Sequence, residues 1–277
     1  MLCAEIPVPV SLSETVTMKV YCPHPDPASP GHDRRPGVVI CPGGGYQRRD
    51  YNEDEPVALA MAARGINAFV AEYHVLPYRF PRPQQDIGAI IRYLKTHAAD
   101  FWLDPDRIAL MGFSSGGHLA ASVGVMGNRT DIWDAVGLDW KRDVRPDALV
   151  LCYPVITAGR YAHRNSFIRL SGSEDPRDHE SLSLEKLVTA ETPETFLWHT
   201  WEDEIVPVQN SLLFASALAE HGIRTELHIY PNGPHGISLA SEATADPRLN
   251  PRMIVPEVQG WLELAVRFIR HGNLPAD

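Results

Sequence analysis

An alternation between two hydrophobic periods restricts the fold of this chain more than any other feature. The runs TVTMKVYCP (15–23), GVVICP (37–42), INAFVAEYH (66–74), RIALMGF (107–113), DALVLCYPVI (147–156), TFLWHTW (195–201) and TELHIYP (225–231) are short and rich in β-branched or aromatic residues, and read as strands. Between most of them lie stretches with helical spacing: EPVALAMAARG (55–65), QDIGAIIRYLKTHAADF (85–101), GGHLAASVGVM (116–126), NSLLFASALAEHG (210–222) and EVQGWLELAVRFIRHG (257–272). Parallel strands need long crossovers, which helices fill, so this order predicts an α/β fold with a mostly parallel central sheet and helices on both faces. The Pro-rich stretch CPHPDPASPGHDRRPG (22–37) cannot continue a sheet and reads as a surface connection.

No compositional break divides the 277 residues, so a single domain over 1–277 is expected, without a large cap domain. Two polar segments, 127–146 and 157–193, interrupt the rhythm and are expected to be insertions lining a site. Acidic residues outnumber basic ones 35 to 25, a formal charge of −10, which argues against nucleic acid or an anionic membrane face as partner. The four cysteines show no C-x-x-C pair and are expected as buried free thiols. With neither a leader pattern nor a bilayer-length apolar run, a cytoplasmic location is expected. The sequence leaves self-association open.

The stretch MGFSSGGHLA (111–120) follows a predicted strand and opens a predicted helix. A nucleophile on so sharp a turn needs small residues two before and two after it. Centred on Ser114 these are Gly112 and Gly116; centred on Ser115 one would be Phe113. Ser114 is therefore the candidate nucleophile, and the Ser115 backbone N–H, at the helix start, a candidate oxyanion donor. Gly43, Gly44 and Gly45 end another strand, where backbone amides can approach a developing oxyanion; the spacing fits neither a Walker loop nor a dinucleotide fingerprint.

A serine needs a base, and the base an orienting acid, both later in the chain for this topology. Among twelve histidines, His235 in YPNGPHGISLA stands just past a strand in a glycine-containing turn and is the best candidate base. His97, His163, His179 and His221 lie in polar surface surroundings, His199 and His228 within strand patterns, and His118 reads as structural. No histidine pair shows metal-ligand spacing, and neither a metal nor an organic cofactor is signalled. For the acid, Glu202, Asp203 and Glu204 follow a strand, and spacing alone does not choose among them.

The segments CPGGGY with NEDEPVALA behind it, DPDRIALMGFSSGGHLAAS, ETFLWHTWEDEIVPVQNSLLFASAL and ELHIYPNGPHG together resemble the α/β-hydrolase superfamily, in particular its hormone-sensitive-lipase-like and carbohydrate (acetyl xylan) esterase-type branch. The resemblance implies an α/β-hydrolase fold, catalytic roles for Ser114, Asp203 and His235, and oxyanion N–H groups from Gly43, Gly44 and Ser115. Pro42 stands where many lipase-like relatives carry histidine, which suits the carbohydrate-esterase subgroup. The expected activity is hydrolysis of short-acyl esters, with acetylated sugars as the favoured small-molecule substrate and Tyr46, Trp133 and Trp140 as candidate sugar-stacking faces. The alternatives are a peptidase-like amide hydrolase and a ligand-binding module without catalysis.

Overall fold

Residues 1–25 and 34–271 are described by the computed structural model. Eight strands form one sheet: β1 (Leu2–Pro9), β2 (Thr15–Cys22), β3 (Arg35–Cys41), β4 (Asn67–Ala71), β5 (Leu103–Phe113), β6 (Ala148–Cys152), β7 (Glu194–Thr200) and β8 (Thr225–Tyr230), in the order β1-β2-β4-β3-β5-β6-β7-β8. From β4 to β8 every pairing is parallel; β1 and β2 add an antiparallel flank. Half of the Pro-rich connection, at 26–33, and Gly272 of the last predicted helix lie outside the described residues.

The sequence reading gives no strand before Thr15. Strand β1 nevertheless alternates outward Cys3, Glu5, Pro7 and Pro9 with inward Leu2, Ala4, Ile6 and Val8. Its two prolines hide the pattern, yet they are tolerated because β1 is an edge strand with partners on one side only.

The described residues include seven α-helices: α1 (Glu55–Ala62), α2 (Arg82–Thr96), α3 (Ser114–Val125), α4 (Thr130–Asp134), α5 (Arg164–Ser171), α6 (Gln209–Glu220) and α7 (Trp261–His271). Helix α2 buries Ile87, Ile90, Ile91 and Leu94, spaced as one helical face requires, in the core shared with α3 and α6. Helices α1 and α7 close the opposite face through Val57, Met61, Trp261, Leu262, Val266 and Ile269. The chain passes from β3 outward to β4 and returns to β5 on the other side of β3, so the loops after β3 and β5 part at a topological switch point, where α/β sheets open a crevice. None of the described helices is long and apolar enough to cross a membrane.

The two irregular segments differ in what they do. Within 157–193, helix α5 packs on the glycine loop after β3, where Arg169 Nη1 donates to Gly45 O at 3.2 Å. Segment 127–146 packs against α2 and the end of α3. Its Trp133 and Trp140 are buried, and their indole N–H groups donate to Met126 O at 3.0 Å and Val123 O at 2.8 Å. Those carbonyls lie at the C-terminal end of α3, about 16 Å along the helix from Ser114. The expectation of two sugar-stacking tryptophans is thus corrected: both rings are packing residues, because a loop without helical period of its own is anchored by burying its large aromatics. Of the cysteines, Cys22, Cys41 and Cys152 are buried and free, whereas Cys3 is exposed on the edge strand.

Trp133→Ala should lower unfolding free energy by about 3–5 kcal/mol in denaturant melts, the usual cost of emptying such a site. The Michaelis constant of the folded fraction should stay as in the parent.

Candidate active site

Strand β5 passes into α3 through Ser114, whose φ of +53° lies in the left-handed region that side chains normally avoid. The surroundings force this shape and leave no room for side chains. A Cβ on Gly112 would sit 2.1 Å from Gly116 O, and one on Gly116 would sit 2.1 Å from Cys41 O. The flanking glycines picked out by spacing are therefore sterically required. The turn lifts the hydroxyl out of the sheet edge, where Ser114 Oγ lies 2.8 Å from His235 Nε2.

His235 sits in the loop after β8, and its Nδ1 lies 2.6 Å from Asp203 Oδ2. An ionised carboxylate can only accept, so Nδ1 carries the proton and Nε2 is free to accept from Ser114. Asp203 lies past the end of β7 with its side chain fully buried, while His235 keeps 15% of its side-chain surface exposed. The other aspartate oxygen accepts the Ile205 and Val206 amides at 3.0 and 2.8 Å. His199 approaches Oδ2 at 3.2 Å and also donates Nε2–H to Val206 O at 2.8 Å. Burial opposes the charge, but the hydrogen bonds and charges of His199 and His235 outweigh it and hold the Asp203 carboxyl well below the usual range. Glu202 instead accepts the Gly233 amide at 3.2 Å. Geometry thus separates Asp203 from its two neighbours, which spacing did not.

The glycine loop corrects one expectation. The Gly43 N–H is already committed to a buried carboxylate, Glu53 Oε2, at 2.7 Å, and the Gly45 N–H to Ser115 Oγ at 2.8 Å. The amides of Gly44 and Ser115 have no partner among the described residues, the latter because the first amides of a helix lack intrahelical acceptors. Gly44 has φ +116°, and a Cβ there would lie 2.4 Å from Arg48 O, so only glycine fits. Gly44 and Ser115 are accordingly the available pair of donors, and the Ser115 hydroxyl has a task of its own, pinning Gly45.

Tyr46, expected as a stacking face, is buried, with its hydroxyl 2.9 Å from His118 Nδ1. His118 Nε2 donates to Leu182 O at 2.9 Å, and burial lowers its pKa to about 4, so it is a neutral packing residue tying α3 to the 157–193 segment. His179 is buried rather than at the surface, stacked on Phe167 and donating to Ser173 O at 2.8 Å. His163 is half-buried, with Nδ1 2.8 Å from Ser166 Oγ, and its pKa is lowered by burial and then by the charge of His235. The exposed aromatics are elsewhere. Trp201 and Tyr51, 62% and 66% exposed, stand two residues before Asp203 and two before Glu53. Their loops are bonded to the His235 loop through Glu202 to Gly233 and through Asn52 Nδ2 to Gly236 O at 3.0 Å. Trp201 reads in sequence as the last residue of a strand, which concealed it. Among the described residues no group of three or more His, Cys, Asp or Glu is placed to hold a metal ion.

Comparison with known proteins agrees with this architecture. Residues 20–218 match the BD-FAE family. A protein named endo-1,4-beta-xylanase B from Butyrivibrio fibrisolvens is 37% identical over 220 residues, 76% of this chain and 33% of that protein. An acetylxylan esterase from Xylanibacter ruminicola is 29% identical over 215 residues, 74% of this chain and 41% of that protein. The chain therefore spans about a third to two-fifths of the length of these curated relatives. The crystal structure of an acetyl ester-xyloside bifunctional hydrolase from Caldicellulosiruptor lactoaceticus superposes with a TM-score of 0.80 at 34% identity, covering 98% of this chain and 97% of that one. With the family match, the sheet order and the glycine-flanked turn at Ser114 in agreement, the chain belongs to the BD-FAE family and has the α/β-hydrolase fold.

Proposed function

We propose that this chain is a serine carboxylesterase that removes short acyl groups, acetyl above all, from sugars or other small soluble alcohols. The observation that carries the reading is the unbroken relay from Ser114 Oγ through His235 to the buried Asp203 carboxylate, at 2.8 and 2.6 Å. Ser114 attacks the ester carbonyl while its proton passes to His235 Nε2. Asp203 fixes the imidazole tautomer and stabilises the imidazolium. The Gly44 and Ser115 amides receive the alkoxide, each worth on the order of 10²- to 10³-fold in rate. His235 then returns the proton to the leaving alcohol. Water, activated by the same ring, attacks the acyl-serine, releasing the acid and restoring Ser114.

Two features favour a small, polar substrate. Helix α5 packs on the glycine loop: a Cβ on Gly45 would lie 2.7 Å from Arg169 Nη1. Polar Arg169, Ser166 and His163 stand there in place of an extended apolar surface. On the other side, exposed Trp201 and Tyr51 offer flat faces beside the His235 loop, suited to a sugar ring. The relatives named for acetyl esters and xylan support the same substrate class.

Ser114→Ala should reduce kcat on p-nitrophenyl acetate by about 10⁴-fold or more, with an unchanged circular dichroism spectrum; retention of turnover would refute the assignment. Across p-nitrophenyl acetate, butyrate and octanoate, kcat/KM should fall monotonically with chain length. Trp201→Ala should raise KM for an acetylated xylo-oligosaccharide about 3- to 10-fold, the usual worth of one aromatic contact, and affect that substrate more than the aryl acetate.

A further inference from the structure

The buried carboxylate of Glu53 takes no part in the relay, yet it touches the segments that carry it. It sits on a short turn, Tyr51–Glu53, just before α1. One oxygen accepts the Gly43 N–H and the other the Tyr153 O–H, both at 2.7 Å. The Tyr153 oxygen in turn accepts the Ser238 N–H at 3.0 Å, and the Tyr153 ring stands edge-on to His235 with centroids 5.2 Å apart. Ser238 Oγ returns to the Glu53 turn by donating to Asn52 O at 2.6 Å, and Asn52 Nδ2 donates to Gly236 O at 3.0 Å. The result is a closed ring of hydrogen bonds joining the Glu53 turn, the end of β6 and the stretch just after His235, with the glycine loop after β3 tied to it through Gly43. Tyr153 and Ser238 hold φ of +36° and +50°, so the ring maintains backbone shapes that these residues would not keep alone.

Resting on the esterase reading above, we propose that Glu53 is a positioning residue. It clamps the oxyanion loop to the histidine loop, so that the free Gly44 amide and the His235 ring are set against Ser114 together. A Cβ on Gly43 would meet Glu53 Oε2 at 2.7 Å and Ser114 Cβ at 3.0 Å, so the clamp bears on the loop directly beside the nucleophile. Two donors converge on two acceptor oxygens, and only a carboxylate can accept both without presenting a donor of its own.

The arrangement has a thermal signature. Burial pushes the Glu53 carboxyl up to about 7, against the pull of the Tyr153 and Gly43 hydrogen bonds and of the His235 charge. The titratable groups facing it are Tyr153 and Cys152 at the end of β6, Tyr73 beyond β4, Asp50 on its own loop and His235. A carboxyl whose pKa is raised by folding binds more protons in the native state, so its contribution is fully present at low pH and is lost as pH rises through about 7. Above that pH the clamp works at the expense of stability.

Glu53→Gln keeps the size and removes one acceptor. In this variant kcat on p-nitrophenyl acetate at pH 8 should fall about 10- to 100-fold with KM within threefold, as expected for a reacting geometry loosened by a fraction of an ångström. Its Tm at pH 8 should equal or exceed that of the parent. Tyr153→Phe, which removes the bonds to Glu53 and from Ser238 but leaves the Glu53–Gly43 bond and the aromatic packing on His235, should lower kcat less, and the double variant should show little further loss. A kcat of Glu53→Gln within twofold of the parent, or a fall matched by a lower Tm, would overturn the clamp. Absence of aryl-ester turnover in the parent itself would instead count against the esterase reading.

Discussion

The left-handed backbone at Ser114 is the constraint on which the rest of the site depends. It exists because β5 must turn abruptly into α3 with two backbones within contact of each other, at Gly112 against Gly116 and at Gly116 against the end of β3. Such a conformation costs of order 1–3 kcal/mol and persists only where surrounding structure dictates it. Here the parallel register of β3 with β5 supplies that surrounding, pairing Cys41 with Gly112. The same register sets the glycine loop beside the first turn of α3, so the Ser114 hydroxyl and the free amides of Gly44 and Ser115 are positioned by one piece of sheet geometry.

Electrostatics then divides the carboxylates into different tasks. Asp203 is buried but encircled by donors: two backbone amides and two imidazoles. It stays ionised and can orient and stabilise a charged His235. Glu53 is also buried, but has one amide and one phenol as partners, so burial prevails and its carboxyl titrates near neutrality. Environment alone separates their behaviour.

Much of this was legible in the chain. The alternation of strand and helix periods predicts the parallel sheet, and the glycines at 112 and 116 select Ser114 over Ser115 because they encode a steric demand local to the turn. His235 was readable for a similar reason, standing just past a strand in a flexible turn. What could not be read depends on contacts between distant segments. Glu53 sits in the acidic run NEDE, which looks like a solvated face, and only the fold shows it buried under Gly43. Trp133, Trp140 and Tyr46 looked available because they stand in loops; the two tryptophans fold back onto the end of α3 just upstream, and Tyr46 is buried against His118, 72 residues on. Strand β1 was masked by prolines whose tolerance depends on its being an edge.

The central claim is that the hydroxyl at the strained turn becomes a covalent acyl acceptor. Peptide mapping by mass spectrometry after treatment with an aryl alkylphosphonate tests it most directly. The account predicts one phosphonyl adduct per chain, on Ser114, formed far more slowly when His235 is replaced by alanine. An adduct on Ser115 or another serine, or none at Ser114 in folded protein, would contradict it.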